Sequence, residues 1–540
     1  MVYTRESSRT IGTDKIFVGL MSPKTLLAVA LTFQTVNPAL ADTSTQRELK
    51  IDVTATTGAA DRFYSLSVGS DFPGTLIRDD TQAQLALAID ELGFEYIRFH
   101  DIFHDTLGTV RRIDGEIVYN WTEIDRLYDM LLAKGIRPFV ELGFTPNELR
   151  TSQQTLFYWK GNTSHPKQDM WIHLVDAFVR HVQERYGVEE TRKWYFEVWN
   201  EPNLKDFWEN ADQRAYFNLY AHTARTIKAI DPQLRVGGPS TAGGDWIPEL
   251  LTFVADNQLP IDFVTTHTYG VEGGFLDEHG KQDTKLLETP DAIVADVRRV
   301  REEIKASAFP DLPLYFTEWS SSYSPRDYIH DSYINAPYVL TKLKQVKGTV
   351  QAMSYWAYTD LFEEPGPPDR PFHGGFGLMN RDGIRKPSWF AYKYLNQLTG
   401  NEVTLNDPQA MATVDGKRVA ALVWDWQQPV QKTSNTPFYT KKLPSTEASS
   451  IAFQIEHLPT GSYRLEVRRT GYLKNDPMSL YIDMGLPSEL SADQLSQLRE
   501  ATTDRPESSR LFEVGSNGHV DVVIPMRSND IVLVTLEPVI

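Results

Sequence analysis

Strand-like and helix-like segments alternate from residue 63 to residue 400, and this alternation limits the folds open to the chain. Short apolar runs are typical of strands, and amphipathic runs such as 123–134 and 171–186 lie between them. The eight strand candidates are 63–68, 96–100, 137–143, 193–200, 234–238, 263–269, 314–319 and 352–358. This pattern predicts a (β/α)8 TIM barrel. A doubly wound open sheet is less favoured, because neither G-x-G-x-x-G nor G-x-x-x-x-G-K-S/T follows the first strand.

The pattern changes after about residue 400, where apolar residues alternate at period two. The strand candidates there are 419–426, 451–456, 463–468, 520–524 and 531–536. They predict a C-terminal β-sandwich over 401–540 as an accessory domain, and the strand-like 48–54 is a candidate to join it. Ser491 and Gln494 have the spacing of a capping box, which predicts a short helix within the sandwich. The catalytic barrel is then assigned to 42–400.

The first 41 residues resemble an export leader. Counting from Met21, a basic Lys24 precedes the apolar run 26–33, and the small-x-small pattern that signal peptidase cleaves ends at Ala41. We therefore expect a signal peptide that starts at Met21, mature protein from Asp42, and a periplasmic or extracellular location. The alternative is a cytoplasmic leader made of residues 1–41. The apolar run is too short to span a membrane, so no stable membrane span is expected.

Charge and cysteine content narrow the ligand and the chemistry. The net charge is −18, so a uniformly acidic surface would repel nucleic acid, anionic membrane and polyanionic polysaccharide. A small neutral ligand fits this surface best. With no cysteine in the chain, any catalysis rests on carboxylates, histidines, hydroxyls or a bound cofactor.

One glutamate follows the fourth predicted strand and another ends the seventh. Glu201 lies in Asn200-Glu201-Pro202, and Glu318 lies in Thr317-Glu318-Trp319. The carboxyl ends of barrel strands meet at one rim, so these two side chains are expected to face each other. Two opposed carboxylates are what glycoside cleavage requires. The pair therefore predicts a glycosidase site.

These segments resemble glycoside hydrolase family 39, which holds β-xylosidases and α-L-iduronidases and belongs to a clan of retaining eight-fold barrel glycosidases. The likeness covers residues 60–400 and, more loosely, the C-terminal part. The motifs that carry it are 97–100 (IRFH), 141–144 (ELGF), 196–204 (FEVWNEPNL), 267–269 (HTY), 317–323 (TEWSSSY), 354–356 (SYW), 362–368 (FEEPGPP) and 373–378 (HGGFGL).

The resemblance implies that Glu201 is the general acid and base and that Glu318 is the nucleophile. A retaining enzyme needs its two carboxyls about 5 to 5.5 Å apart, and the charge on one then raises the pKa of the other. Asn200 is placed to hydrogen-bond the sugar 2-hydroxyl. Glu141 and Glu197 lie inside strand runs, so we interpret them as paired framework carboxylates.

The other substrate-binding candidates lie near the same strand ends. His267 and Tyr269 are two apart on strand six and so face one side, and Tyr269 or Tyr323 is a candidate partner of Glu318. The remaining candidates are His100, one of the pair Glu363 and Glu364, and the possible sugar-stacking rings Phe144, Trp356 and Phe372. His100 and His104 straddle a strand end rather than share a helix face, so no metal is predicted. No cofactor is predicted either.

The sequence favours a retaining exo-glycosidase for β-D-xylosides or xylo-oligosaccharides, acting on a small neutral saccharide, with a homo-oligomer as an open possibility. An α-L-iduronidase remains an alternative, because Arg381, Arg385 and Lys386 could form a basic pocket for the sugar carboxylate. A second alternative is a catalytically retired, carbohydrate-binding barrel. Both carboxylates and their neighbours are present, which disfavours it.

Overall fold

A computed structural model describes residues 46–539 of the protein. Eight parallel strands form a closed barrel in which β1 pairs with both β2 and β8. The strands are β1 Ser67–Gly69, β2 Tyr96–Phe99, β3 Arg137–Leu142, β4 Tyr195–Val198, β5 Arg235–Ala242, β6 Phe263–Tyr269, β7 Leu314–Ser320 and β8 Ala352–Tyr355. Each is followed by a helix that packs outside the barrel. The main helices are α1 Asp79–Leu92, α2 Thr122–Ala133, α3 Gln168–Tyr186, α4 Gln213–Ile230, α5 Ile247–Asp256, α6 Val294–Lys305, α7 Asn335–Val346 and α8 Pro387–Asn396.

The predicted barrel is confirmed, but its first strand was placed wrongly. Phe63–Ser65 forms a short 3-10 helix, and the strand is the three-residue Ser67–Gly69. Phe63 and Tyr64 are buried in the hydrophobic core, so this segment is apolar because it is buried and not because its backbone is extended. A short apolar run does not distinguish a strand from another buried segment.

Aromatic residues close the amino-terminal end of the barrel. Tyr96, Phe139, Tyr195, Phe263 and Tyr315 pack as one buried cluster from five different strands. Arg235 on β5 covers this layer, with its guanidinium 3.6 Å from the centre of the Tyr195 ring. Polar side chains lie instead at the opposite, carboxyl end of the barrel, which is called the rim below.

Three hairpins extend the loops of the rim among the described residues. The hairpins pair Val110–Ile113 with Glu116–Tyr119, Thr155–Leu156 with Gly161–Asn162, and Val271–Leu276 with Gln282–Leu286. They follow β2, β3 and β6 respectively. Short helices elsewhere are Pro73–Leu76, Val188–Thr191 and Asn435–Tyr439.

Two further sheets contain the C-terminal strands. Seven strands form one sheet in the order Thr56–Ala59, Asn401–Val403, Ala410–Asp415, Arg418–Trp424, Ile531–Pro538, Gly461–Thr470 and Ser508–Val514. The other sheet has the order Arg47–Asp52, Glu447–Glu456 and Val520–Arg527. Both sheets contribute to one hydrophobic cluster. Arg47–Asp52 pairs in parallel with Glu447–Glu456, so the chain before the barrel lies in the C-terminal part.

Two helices, Pro477–Asp483 and Ala492–Ala501, interrupt these strands. The predicted capping box is confirmed, since Gln494 N–H donates to Ser491 Oγ and Ser491 N–H donates to Gln494 Oε1. Within residues 46–539, no helix combines the length and apolar character that crossing a membrane requires. The predicted leader, residues 1–41, lies outside the described residues.

Candidate active site

The loop after β4 carries Glu201 in an unusual backbone conformation. Trp199 and Glu201 have φ values of 72° and 46°, a region that residues other than glycine rarely adopt. The Glu201 N–H donates to the Ser240 carbonyl on β5 at 2.8 Å, which fixes the turn. Such conformations cluster at functional sites, where surrounding contacts hold them in place. The turn directs the Glu201 side chain to the rim.

Arg98 on β2 joins the carboxylates of the site and is completely buried. Its guanidinium contacts Glu197 at 2.6 Å, Glu318 at 2.7 Å, Asn200 at 2.8 Å, Glu141 at 2.9 Å and Ser240 at 3.1 Å. Burial lowers the pKa of Arg98, but the charges of Glu197, Glu141 and Glu318 outweigh burial and raise it. Glu141 and Glu197 are thus the buried framework partners of a permanent cation.

The Glu318 carboxylate is held at both oxygens. Oε1 accepts from Arg98, and Oε2 accepts from the Tyr269 hydroxyl at 2.7 Å. The predicted contact between Tyr269 and Glu318 is therefore present. Tyr323 does not occupy that position; its ring lies edge-on to Tyr269 with centroids 6.4 Å apart.

His267 bridges the two candidate catalytic carboxyls. Its Nδ1 lies 2.9 Å from Glu201 Oε1 and 3.6 Å from Glu318 Oε2, and its Nε2 lies 3.2 Å from Ser240 Oγ. One atom each of Glu201, His267 and Glu318 lie within 4.8 Å of one another. The two carboxyls therefore share one small space, as the sequence predicts.

The surroundings affect the pKa values of the two glutamates differently. Burial, followed by the charge on Glu318, raises the pKa of Glu201 well above its ordinary value. Burial also raises the pKa of Glu318, but Arg98, His100 and the Tyr269 hydroxyl oppose that rise. Burial and the nearby cations Arg98 and His100 lower the pKa of His267 well below its ordinary value. Glu201 is thus the group that retains a proton, and His267 is neutral.

His100, Glu364 and Trp356 line the opposite side of the site. His100 Nδ1 lies 2.8 Å from Glu141, and its Nε2 lies 3.2 Å from Glu364. Burial lowers the pKa of His100, but Glu141, Glu364 and Glu318 together raise it well above its usual range. The Trp356 ring lies 4.7 Å from the His100 ring. Gly69 is required here, because a Cβ at that position would meet the Trp356 ring at 2.1 Å.

Three of the predicted sugar contacts lie elsewhere. Glu363 points away from Glu364 and pairs with Arg78 at 2.9 Å, so of the two only Glu364 reaches the site. Phe144 is fully buried and stacks on His100 within the wall, so it offers no face to a sugar. Phe372 packs on Tyr481 of the C-terminal part, with ring centroids 5.1 Å apart.

The three candidate cations for a sugar carboxylate are likewise engaged elsewhere. Arg381 contacts Glu489 at 3.1 Å, and Arg385 pairs with Glu91. Lys386 is completely buried between Asp331 and Asp360, with 2.6 Å to each. The idea of a basic pocket formed by these residues is wrong, because each already neutralises a carboxylate of the protein.

Several residues that line the site were not predicted from the sequence. Phe157 stacks on His100 with centroids 5.7 Å apart, and the neighbouring Trp159 donates from Nε1 to Asp71 at 3.0 Å. Asp71 also accepts the Glu363 N–H at 2.8 Å, and burial with the charge on Glu364 raises the pKa of Asp71 to about 8. Asp71 follows β1, so its position after a barrel strand was a usable signal. No comparable sequence pattern pointed to Ser240 as a residue of the site.

Glu201, His267 and Glu318 also have the donor types that bind divalent transition metals. A metal bound there would lie beside the Arg98 cation, which already occupies one Glu318 oxygen at 2.7 Å. Like charges this close in a buried site repel strongly. We therefore interpret the three groups as a candidate catalytic carboxyl pair with a neutral histidine between the two glutamates, and the predicted absence of a metal stays a prediction.

Comparisons with known proteins match this site and fold. Residues 47–519 match the profile of Glycosyl hydrolases family 39. The chain is 35% identical over 483 residues to a beta-xylosidase from Caldicellulosiruptor saccharolyticus, covering 89% of this chain and 96% of that protein. A solved family 39 enzyme from Xanthomonas axonopodis pv. citri is 70% identical with a TM-score of 0.91, covering 92% of this chain and 98% of the other. A monomeric beta-xylosidase from Caulobacter crescentus CB15 is 62% identical, also with a TM-score of 0.91, covering 92% and 100%. The resemblance inferred from the motifs is thereby confirmed: the chain belongs to glycosyl hydrolase family 39 and is a glycoside hydrolase.

Proposed function

We propose that this protein is an exo-acting β-D-xylosidase that retains anomeric configuration through a covalent glycosyl-enzyme. The observation that carries the proposal is the carboxyl pair: one oxygen of Glu201 and one oxygen of Glu318 lie within 4.8 Å of each other, and both lie within the same distance of one nitrogen of His267. That spacing suits direct attack by one carboxylate, whereas an inverting enzyme needs about 6.5 to 9.5 Å for an intervening water. Relatives named beta-xylosidase support the choice of sugar.

In the first step, the Glu201 carboxyl gives its proton to the glycosidic oxygen as the bond from that oxygen to the anomeric carbon breaks. Glu318 attacks the same carbon and forms an ester. Arg98 donates to the side-chain oxygen Oδ1 of Asn200 at 2.8 Å, which leaves the side-chain nitrogen Nδ2 to donate to the sugar 2-hydroxyl.

In the second step, water replaces the enzyme at the anomeric carbon. Esterified Glu318 carries no charge, so one of the influences that raise the pKa of Glu201 is lost, and that pKa falls. Glu201 then removes a proton from the attacking water, and the ester bond to Glu318 breaks. His267 remains neutral and keeps its contact with Glu201 in both steps.

The charge of the site favours a neutral sugar over a uronic acid. Its cations Arg98 and His100 both contact protein carboxylates, and Glu141, Glu197, Glu318 and Glu364 outnumber them. A carboxylate on the substrate would enter an electronegative site, and among these residues both cations already contact protein carboxylates. A xyloside has only hydrogen where an iduronide carries that carboxylate.

Parallel assays of aryl β-D-xyloside and aryl α-L-iduronide test the assignment. We expect kcat/KM to be at least about a hundredfold higher for the xyloside, a difference of roughly 2.7 kcal/mol in transition-state binding. NMR of the first-formed sugar should show the β-anomer. Comparable rates, or a preference for the iduronide, would contradict the choice of sugar, and an initial α-anomer would contradict retention.

We also propose that the protein is exported to the periplasm or the medium, on the strength of the leader pattern that ends at Ala41. The Caulobacter crescentus relative is described as monomeric, so a monomer is the state to test first in place of a homo-oligomer. Light scattering on the purified protein measures it directly.

A further inference from the structure

A cavity of about 700 Å³ adjoins the candidate active site, with which it shares Glu364. Glu364, which contacts His100, and Tyr323, which contacts Tyr269, both line the cavity. The sugar that is cleaved must reach Glu201 and Glu318, which are 7% and 5% exposed. The departing group therefore occupies the outer cavity.

Aromatic and aliphatic side chains from separate rim loops form the walls. Leu156 and Phe157 come from the loop after β3 and Phe207 from the loop after β4, while Phe275 comes from the hairpin after β6 and Tyr323 from the loop after β7. Gly273 allows the hairpin to approach Tyr323, because a Cβ there would meet the Tyr323 hydroxyl at 2.4 Å. Two of these rings, Phe157 and Phe207, pack edge to face with centroids 5.5 Å apart.

Most polar side chains of the cavity are already used by the protein. Both carboxylate oxygens of Asp283 accept backbone N–H groups at 2.9 Å, one from Thr284 and one from Thr436. The Thr284 hydroxyl donates to Asp327, and Ser324 Oγ accepts a backbone N–H. Among the described residues that line the cavity, Gln282 is the polar side chain for which no hydrogen bond is found. The charged side chains of the lining, Asp283 and Glu364, are both acidic.

A sugar as leaving group would bring several hydroxyls into this space. Each would lose water and find few free partners, which costs binding energy. An uncharged aromatic ring would instead bury its faces against Phe157, Phe207 and Phe275 and would need no hydrogen bonds. An anionic leaving group would be repelled by the two carboxylates.

We propose that this cavity is an aglycone site for uncharged aromatic alcohols and phenols, so that aromatic xylosides rather than xylo-oligosaccharides are the preferred substrates. The inference rests on the proposed xylosidase activity and specifies its leaving group. Phe275 is assigned as a residue that determines this specificity: it is half-buried in the cavity wall and lies outside the catalytic network.

The test compares three xylosides that all leave as alcohols: methyl β-D-xyloside, 2-phenylethyl β-D-xyloside and xylobiose. Methanol and 2-phenylethanol have similar acidity, so their difference in kcat/KM reports contacts made by the ring. Because a sugar hydroxyl is the better leaving group, chemistry alone favours xylobiose. We expect kcat/KM for the phenylethyl xyloside to exceed both others by at least about tenfold.

Phe275→Ser should lower kcat/KM for the phenylethyl xyloside about tenfold and for the methyl xyloside less than about twofold. The activity retained on the methyl xyloside would also show that the variant folds. Phe275→Leu should keep most of the preference. Leu511→Ser, at a site 69% exposed on the C-terminal sheet, is the matched control and should change neither.

A preference for xylobiose over the phenylethyl xyloside would overturn the inference and leave the xylosidase activity standing. Equal losses on all three substrates in Phe275→Ser, or no loss on any, would likewise overturn the role of Phe275. Failure of the wild-type protein to cleave any of the three would refute the xylosidase proposal and, with it, the aglycone site.

Discussion

Replacing Tyr269 with phenylalanine removes one of the two groups that hold the Glu318 carboxylate. The hydroxyl donates to Oε2 at 2.7 Å, and Glu318 is only 5% exposed, so the replacement leaves that oxygen poorly solvated. A hydrogen bond to a charged group contributes about 1.5 to 3 kcal/mol, and 1.36 kcal/mol corresponds to one pKa unit. Because Arg98 still binds Oε1, we use the lower end of this energy range, about 1.5 kcal/mol, and expect the pKa of Glu318 to rise by about one unit.

The direction of the pH effect follows from the role of Glu318. It attacks only as a carboxylate, so kcat/KM falls as the pH drops through its pKa. Raising that pKa should move the acid limb of the profile up by about one pH unit, with a loss of about tenfold on that limb. The two glutamates interact, so the measured values belong to the pair.

The measurement is kcat/KM for an aryl β-xyloside against pH, from about pH 4 to pH 8. Tyr315→Phe is the control, because Tyr315 lies on the same strand as Glu318 but its hydroxyl contacts only Tyr195 among the hydrogen bonds found, at 3.5 Å. Its acid limb should match that of the wild type. An unmoved acid limb in Tyr269→Phe, or equal shifts in both variants, would refute the reasoning.

Four further outcomes are expected. Glu201→Ala should lower hydrolysis of an alkyl xyloside about 10² to 10⁴-fold but an activated aryl xyloside far less, with azide restoring the latter as a β-glycosyl azide; equal losses without rescue would exclude Glu201 as the acid. A 2-fluoro xyloside with a good leaving group should label Glu318, and mass mapping that finds the adduct on another carboxylate would reassign the nucleophile. Lys386→Met should lower the free energy of unfolding in urea by about 3 to 5 kcal/mol, because two buried carboxylates lose their cation, and a change below 1 kcal/mol would contradict that account. Protein recovered from the periplasm or medium of an expressing bacterium should begin at Asp42 by N-terminal sequencing, and retention of residues 1–41 would contradict export.

Strand-end positions could be predicted because the barrel is regular. In parallel strands the side chains of one end meet, so Glu201 after β4 and Glu318 on β7 had to share the rim once eight strands were recognised. His267 and Tyr269 followed from the two-residue period of β6, which directs both to one face. The sequence also contained the motifs of the family, so the class of reaction was available without coordinates.

The tertiary structure decided what each side chain in the loops touches. Glu363 and Glu364 are adjacent and chemically alike, yet Arg78 binds one and His100 binds the other. Phe157 and Glu364 line the same cavity although more than two hundred residues separate them, and no local period predicts that they do. In a regular strand the backbone repeat sets the side-chain direction, whereas in a loop that direction depends on partners distant in sequence. The catalytic pair could therefore be found from the sequence by itself, while the shape of the leaving-group cavity required the folded chain.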